Sequence, residues 1–163
     1  MASALQALMA GEVYAQRPAA EVDMVRTNNR ADRPFSLVVT GEAESWLPAL
    51  ESIVGHRYLQ PHPVSSDREL LDVVQFHRAD AAVLDDNADW LQDSLQLLRR
   101  IRRVDAGFPV VVVTRHRDRR WLEDALSLAV FSVVVRPLAL EELLQQIQRM
   151  MTRISQHPGS DGL

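Results

Sequence analysis

The chain has 163 residues, a formal net charge of -4, 47% hydrophobic and 25% charged residues, and no cysteine. That is enough for one ordinary domain with appendages, of soluble globular composition, with too mild a charge to draw a nucleic acid by its overall field. The missing cysteines exclude disulfides, thiolate metal sites and cysteine nucleophiles and fit a cytoplasmic protein; no apolar run reaches the roughly 18 residues of a membrane span, and residues 1–12 lack the basic start and long apolar core of a signal peptide.

Residues 1–33 read as an appendage. Leu5, Leu8, Met9, Val13 and Tyr14 form an approximate helical stripe between Ser3 and Gln16. Pro18 and the polar run from Thr27 to Arg33 then break the period. A loosely ordered extension and a partner-binding or dimerising helix both fit this stretch. Residues 155–163 have no apolar face and read as a flexible tail.

Residues 34–154 alternate regularly. Phe35–Val39 is a predicted strand ending in Thr40-Gly41-Glu42, and Glu44–Val54 carries Trp46, Leu47, Leu50, Ile53 and Val54 at helical spacing. Tyr58–Val64 is a weaker strand, placed at a sheet edge by Pro61 and Pro63, which cannot donate to a ladder. Ser66-Asp67-Arg68-Glu69 is a capping box opening a helix that continues through Leu70, Leu71, Val73, Val74 and Phe76. Ala81–Leu84 is a short apolar run, suited to a strand buried on both faces, that leads into Asp85, Asp86 and Asn87. Leu91–Val104 reads as a helix with Leu95, Leu97, Leu98 and Ile101 inward and Arg99, Arg100, Arg102 and Arg103 largely outward. Pro109–Thr114 is a strand of four consecutive valines, Arg119–Val130 a helix, Ser132–Val135 a strand stopped by Arg136-Pro137, and Leu140–Ile154 the last helix. Glu141 and Glu142 in its first turn, and Arg149 and Arg153 late, complement its dipole.

Five strands alternating with five helices predict an α/β fold: a doubly wound parallel sheet with helices on both faces, in the flavodoxin-like order 2-1-3-4-5. In such a sheet chemistry sits outside the carboxyl ends of the strands, which singles out Asp85.

With these residues in place the chain resembles a bacterial response-regulator receiver (CheY-like) domain over roughly residues 34–154. Asp85 looks like the family's phosphate-accepting aspartate, Thr114 like the hydroxyl residue ending the fourth strand, and Arg136-Pro137 stands where a Lys-Pro pair with a cis peptide is expected. The intervals between positions 40, 85, 114 and 136 are close to those of ordinary receivers. The resemblance implies two-component signalling and a histidine kinase or a downstream effector as partner. It also implies an output and homodimer face on the fourth helix, fifth strand and fifth helix. On that face Trp121, Leu126, Val133, Leu143 and Ile147 are the candidate interface residues.

Receiver chemistry is phosphoryl transfer to a carboxylate, and the charge on the transferred group calls for cations. In the family Mg²⁺ supplies most of that charge, held by an acidic pair after the first strand, the acceptor aspartate and a backbone carbonyl. Here Thr40-Gly41 stands in place of the acidic pair, leaving Glu42 and Asp86 as weak metal candidates off the expected positions. Arg136 replaces the compact ammonium by a planar fork, and Arg115 follows Thr114 where a small residue is usual. Val133 occupies the position of the family's switch aromatic; Phe131, two residues away, reads as core on the same strand face.

These departures predict a degenerate pseudo-receiver: no enzyme and no cofactor, a module acting by protein–protein interaction, with Asp85 and Arg136 in a standing ion pair. With no output domain following in the sequence, output is expected to pass through binding. The alternative is a working phosphoacceptor, with Asp85 as nucleophile, Thr114 and Arg136 on the phosphate, and Mg²⁺ held by Glu42 or Asp86. A flavodoxin-like enzyme or nucleotide binder is a third reading, weakened by Thr40-Gly41-Glu42 in place of a Gly-rich phosphate loop. The five histidines show no metal spacing. The two arginine clusters, 99–103 and 115–120, read as solvated faces whose functional use would be docking an acidic protein surface. Trp90 and Trp121 read as packing residues or interface anchors at the site's rim.

Overall fold

The computed structural model describes residues 33–40 and 46–156. The stripe between Ser3 and Gln16, Gly41, Glu42 and the tail beyond 156 lie outside them. The elements are β1 (Phe35–Thr40), α1 (Leu47–Val54), β2 (Leu59–Val64), α2 (Asp67–Gln75), β3 (Ala81–Asp85), α3 (Ser94–Val104), β4 (Val110–Thr114), α4 (Arg119–Ser127), β5 (Ser132–Val135) and α5 (Leu140–Gln156). The strands form one parallel sheet in the order β2-β1-β3-β4-β5. Pro61 and Pro63 lie in β2, which pairs on one side only, so their missing N–H groups leave no gap inside the sheet.

The central strands are apolar on both faces because both are covered. Leu37, Val39, Val83, Val111 and Val113 pack under α1 and α5, against Leu50, Leu143, Ile147 and Met150. Val38, Ala82, Leu84, Val110 and Val112 pack under α2, α3 and α4, against Leu70, Val74, Leu98, Ile101 and Ala125. Each fully buried Leu, Ile or Val contributes ~1.5–3 kcal/mol of transfer free energy. Leu143 and Ile147 are therefore core side chains, 0% and 1% exposed, and not the interface residues expected. The apolar stripe of α5 faces the sheet and leaves them nothing to offer a partner.

Helix ends depart from the sequence reading for local reasons. α3 starts at Ser94, not Leu91, because the Asp93 side chain accepts the Gln96 N–H as an N-cap. α2 opens as expected with Ser66 Oγ accepting the Glu69 N–H, but the Glu69 carboxylate returns to the Ser65 N–H rather than to that of Ser66. α2 and α4 are followed by left-handed residues, His77 (φ 53°) and Ala129 (φ 59°), which end the helices as a C′ residue does. Phe76 thus falls past the end of α2 and is 59% exposed. α4 stops at Ser127 rather than Val130, and Arg102 takes over the end of that turn. Its guanidinium donates to the carbonyls of Leu128 (2.7 Å), Ala129 (3.1 Å), Phe108 (2.7 Å) and Asp105 (3.3 Å). Arg102 is thus a clamp and not an outward cation; burial pulls its pKa below the ordinary arginine value, and Asp105 opposes that shift.

Candidate functional site

Asp85 ends β3, with Thr114 at the end of β4 and Arg136 just after β5. Parallel register brings these three ends together, with Asp85 opposite Val113 and Thr114 opposite Val135. Thr40, at the end of β1, joins them through its hydroxyl. Thr40 Oγ1 accepts the Asp85 N–H at 3.0 Å and donates to the Asp85 carbonyl at 3.1 Å. The residue standing where an acidic pair was expected is a side-chain staple between β1 and β3.

The Asp85 carboxylate is fully buried and its donors are all internal. Oδ2 accepts from the indole Nε1–H of Trp46 at 3.1 Å and from the Arg136 guanidinium. Oδ1 accepts the Asn87 N–H at 3.0 Å. The ion pair of Asp85 with Arg136, whose side chain is 17% exposed, is therefore present and largely shielded from water. Arg136 is itself positioned: its N–H donates to the Thr114 carbonyl (2.8 Å), and its carbonyl accepts from Arg117 Nη2 (2.6 Å). Its buried Nε has no partner among the described residues, and it meets Asp85 through one arm of the fork.

The remaining polar groups pair with one another. Thr114 Oγ1 donates to the Asp86 carboxylate and accepts the His116 N–H at 3.0 Å. His116 stacks on Trp121, ring centroids 4.6 Å apart. Arg115 is exposed at the rim. Val133 packs toward α2, α3 and α4 whereas Phe131 packs on the α1–α5 side, with Arg153 over its ring. Phe131 thus belongs to the opposite layer and not to the face of Val133. Of the expected interface residues, Leu126 is 60% exposed, and Trp121 and Val133 are half-buried. Trp90 packs against the α2–α4 layer.

Sequence reasoning brought Asp85, Thr114 and Arg136 together correctly but missed Trp46 and Thr40 as parts of the site. An indole just past β1 needs an acceptor for its N–H when buried, and that need was the available signal. Among the described residues no group of three or more histidine or carboxylate side chains is arranged to hold a metal ion.

The sequence model described as the response regulator receiver domain matches residues 42–148. "Response regulator MprA" of Mycobacterium sp. (strain KMS) is 31% identical over 93 residues, 57% of this chain and 40% of the relative. The chain thus spans about two fifths of the length of the curated relatives it matches. Among solved structures, the response regulator receiver domain protein (CheY-like) from Methanospirillum hungatei JF-1 superposes with a TM-score of 0.63 at 13% identity, covering 76% of this chain and 98% of that one. A two-component response regulator from Clostridium difficile gives 0.61 at 17% identity, covering 74% and 98%. At these identities the structural likeness speaks for the fold. No helix among the described residues is long and apolar enough to cross a membrane.

Proposed function

Since the chain belongs to the response regulator receiver domain family of two-component signalling modules, we propose that it is a pseudo-receiver that acts by binding other proteins and is not itself phosphorylated. The observation that carries this reading is the state of Asp85, fully buried, with Trp46, Arg136 and Asn87 on its two oxygens. Hydrogen bonds to a charged group contribute ~1.5–3 kcal/mol each. In-line attack on a phosphoryl donor would first have to uncover a fully buried carboxylate and loosen the donors that hold its two oxygens.

Among the described residues, which leave out Glu42, the family's Mg²⁺ finds no fitting set of ligands. The ion takes oxygen ligands in near-ideal octahedral geometry. Thr40 spends its hydroxyl on Asp85 backbone, Asp86 is taken by Thr114, and the Asp85 oxygens face N–H donors. An N–H donor repels a cation where a ligand oxygen would hold one. Among the described residues it is Arg136 that supplies the positive charge balancing Asp85.

Without phosphate chemistry, the output of such a module is contact with a partner, a histidine kinase or a downstream effector in the cytoplasm. A homodimer through α4, β5 and α5 is the second form this takes, now resting on Leu126, Trp121 and Val133. The competing reading is a phosphoacceptor, favoured by the convergence of Asp85, Thr114 and Arg136. One experiment separates them: incubation with beryllofluoride or acetyl phosphate and Mg²⁺, followed by tryptophan fluorescence, since Trp46 touches Asp85 directly. The pseudo-receiver reading expects no change and no labile adduct. A response that Asp85→Ala abolishes would overturn it.

A further inference from the structure

Each arginine cluster is only partly committed to the fold. Between residues 115 and 120, Arg117 donates to the Arg136 carbonyl and Arg119 pairs with Glu123 at 3.1 Å. On α3, Arg102 turns inward to four carbonyls. Arg99 and Arg103 do neither. Both are exposed, and no anion among the described residues meets either guanidinium. They stand one helical turn apart, an i, i+4 pair of like charges that weakens its own helix.

These two cations flank a concavity of ≈ 410 Å³ lined by Asp93, Gln96, Arg99, Arg100 and Arg103. Arg100 is fixed in the wall by Asp67 at 2.6 Å, so that arm is already ordered. The acids nearby are committed: Asp67 to Arg100, and Asp93 to the N-cap of α3. The lining has no apolar side chain, which argues against a small organic ligand, whose pockets are mostly hydrophobic. Planar guanidinium forks match carboxylates geometrically.

We propose that the outer face of α3 is a docking site for a carboxylate-rich segment of a partner protein, gripped by Arg99 and Arg103. A polynucleotide is the poorer occupant. The chain is acidic overall, and no aromatic side chain lines the concavity to stack on bases. Val104, 41% exposed and next to Arg103, adds the apolar contact that a protein surface can meet. The proposal deepens the protein-binding reading and fails separately from it, because its test leaves the beryllofluoride result untouched.

The test is fluorescence anisotropy of a fluorescein-labelled octaglutamate peptide titrated with the full chain at low salt. Saturable binding is expected, weakened about tenfold by Arg99→Glu/Arg103→Glu and by raised salt. The matched reversal Arg115→Glu/Arg120→Glu should change affinity less than about twofold. Arg99→Gln/Arg103→Gln should also lose affinity while keeping its circular dichroism spectrum and melting temperature, so that lost binding is not lost folding. No saturable binding, binding indifferent to the 99/103 pair, or tighter capture of an oligothymidine of equal length through the same arginines would each overturn the proposal.

Discussion

At the carboxyl end of the sheet Asp85 finds a donor on each oxygen; on the outer face of α3, Arg99 and Arg103 find no acceptor among the described residues. Both regions concentrate charge, and they treat it oppositely. A buried carboxylate without partners would cost several kcal/mol, so the core answers it with an indole, a guanidinium and a backbone N–H. An exposed pair of arginines costs only ~0.2–0.5 kcal/mol of helix stability in mutual repulsion, and water tolerates it. The contrast teaches that the carboxylate ending β3 is held as part of the packing, while two cations on a helix surface are left open to solvent.

The largest test of this contrast is Arg136→Ala, which strands Asp85 in the core. Urea denaturation should show a loss of about 3 kcal/mol, and Asp85→Ala/Arg136→Ala should lose clearly less than the sum of the two single variants. Near-additive losses would mean that the pair is not coupled. Trp46→Phe keeps the aromatic bulk and removes one donor; it should cost ~1–2 kcal/mol by the same measurement. Arg102→Gln should cost about 1 kcal/mol through its orphaned carbonyls, whereas the neighbouring Arg103→Gln should stay within about 0.5 kcal/mol of the parent. Equal effects of those two changes would erase the distinction between clamp and free cation.

The smallest effect concerns Asp67, whose pKa is held below 3.8, chiefly by its hydrogen bond from Arg100. A carboxyl depressed by folding binds fewer protons in the native state than in the unfolded chain. Its contribution is therefore present above the unfolded pKa and lost as pH falls through the lower folded one. The pair is half exposed, so Asp67→Asn should cost ~0.2–1 kcal/mol at neutral pH. The gap between parent and variant should close below about pH 3.8, as read from denaturation curves across pH.

How far the sequence could be read follows from which groups are periodic. The order of strands was legible because Ala81–Leu84 and Val110–Val113 are apolar throughout and the prolines mark β2 as an edge. Asp85, Thr114 and Arg136 were legible because parallel strand ends converge. Trp46 and Thr40 were not, because their roles depend on where one indole N–H and one hydroxyl point, and no spacing encodes that. Helix ends were overrun at Ala129 because the left-handed position that glycine usually marks is filled by alanine. Leu143 and Ile147 were assigned to a surface on the strength of resemblance, although an amphipathic helix with those residues on its apolar stripe buries them.

The two prolines of β2 reach beyond placing that strand. A foreign peptide adding itself alongside would look for a regular row of amide hydrogens on that outer border, and Pro61 and Pro63 have none to lend. At the far border β5 runs for only four residues. Lateral growth of the sheet, the route by which exposed strands seed fibrils, is thereby discouraged on either flank.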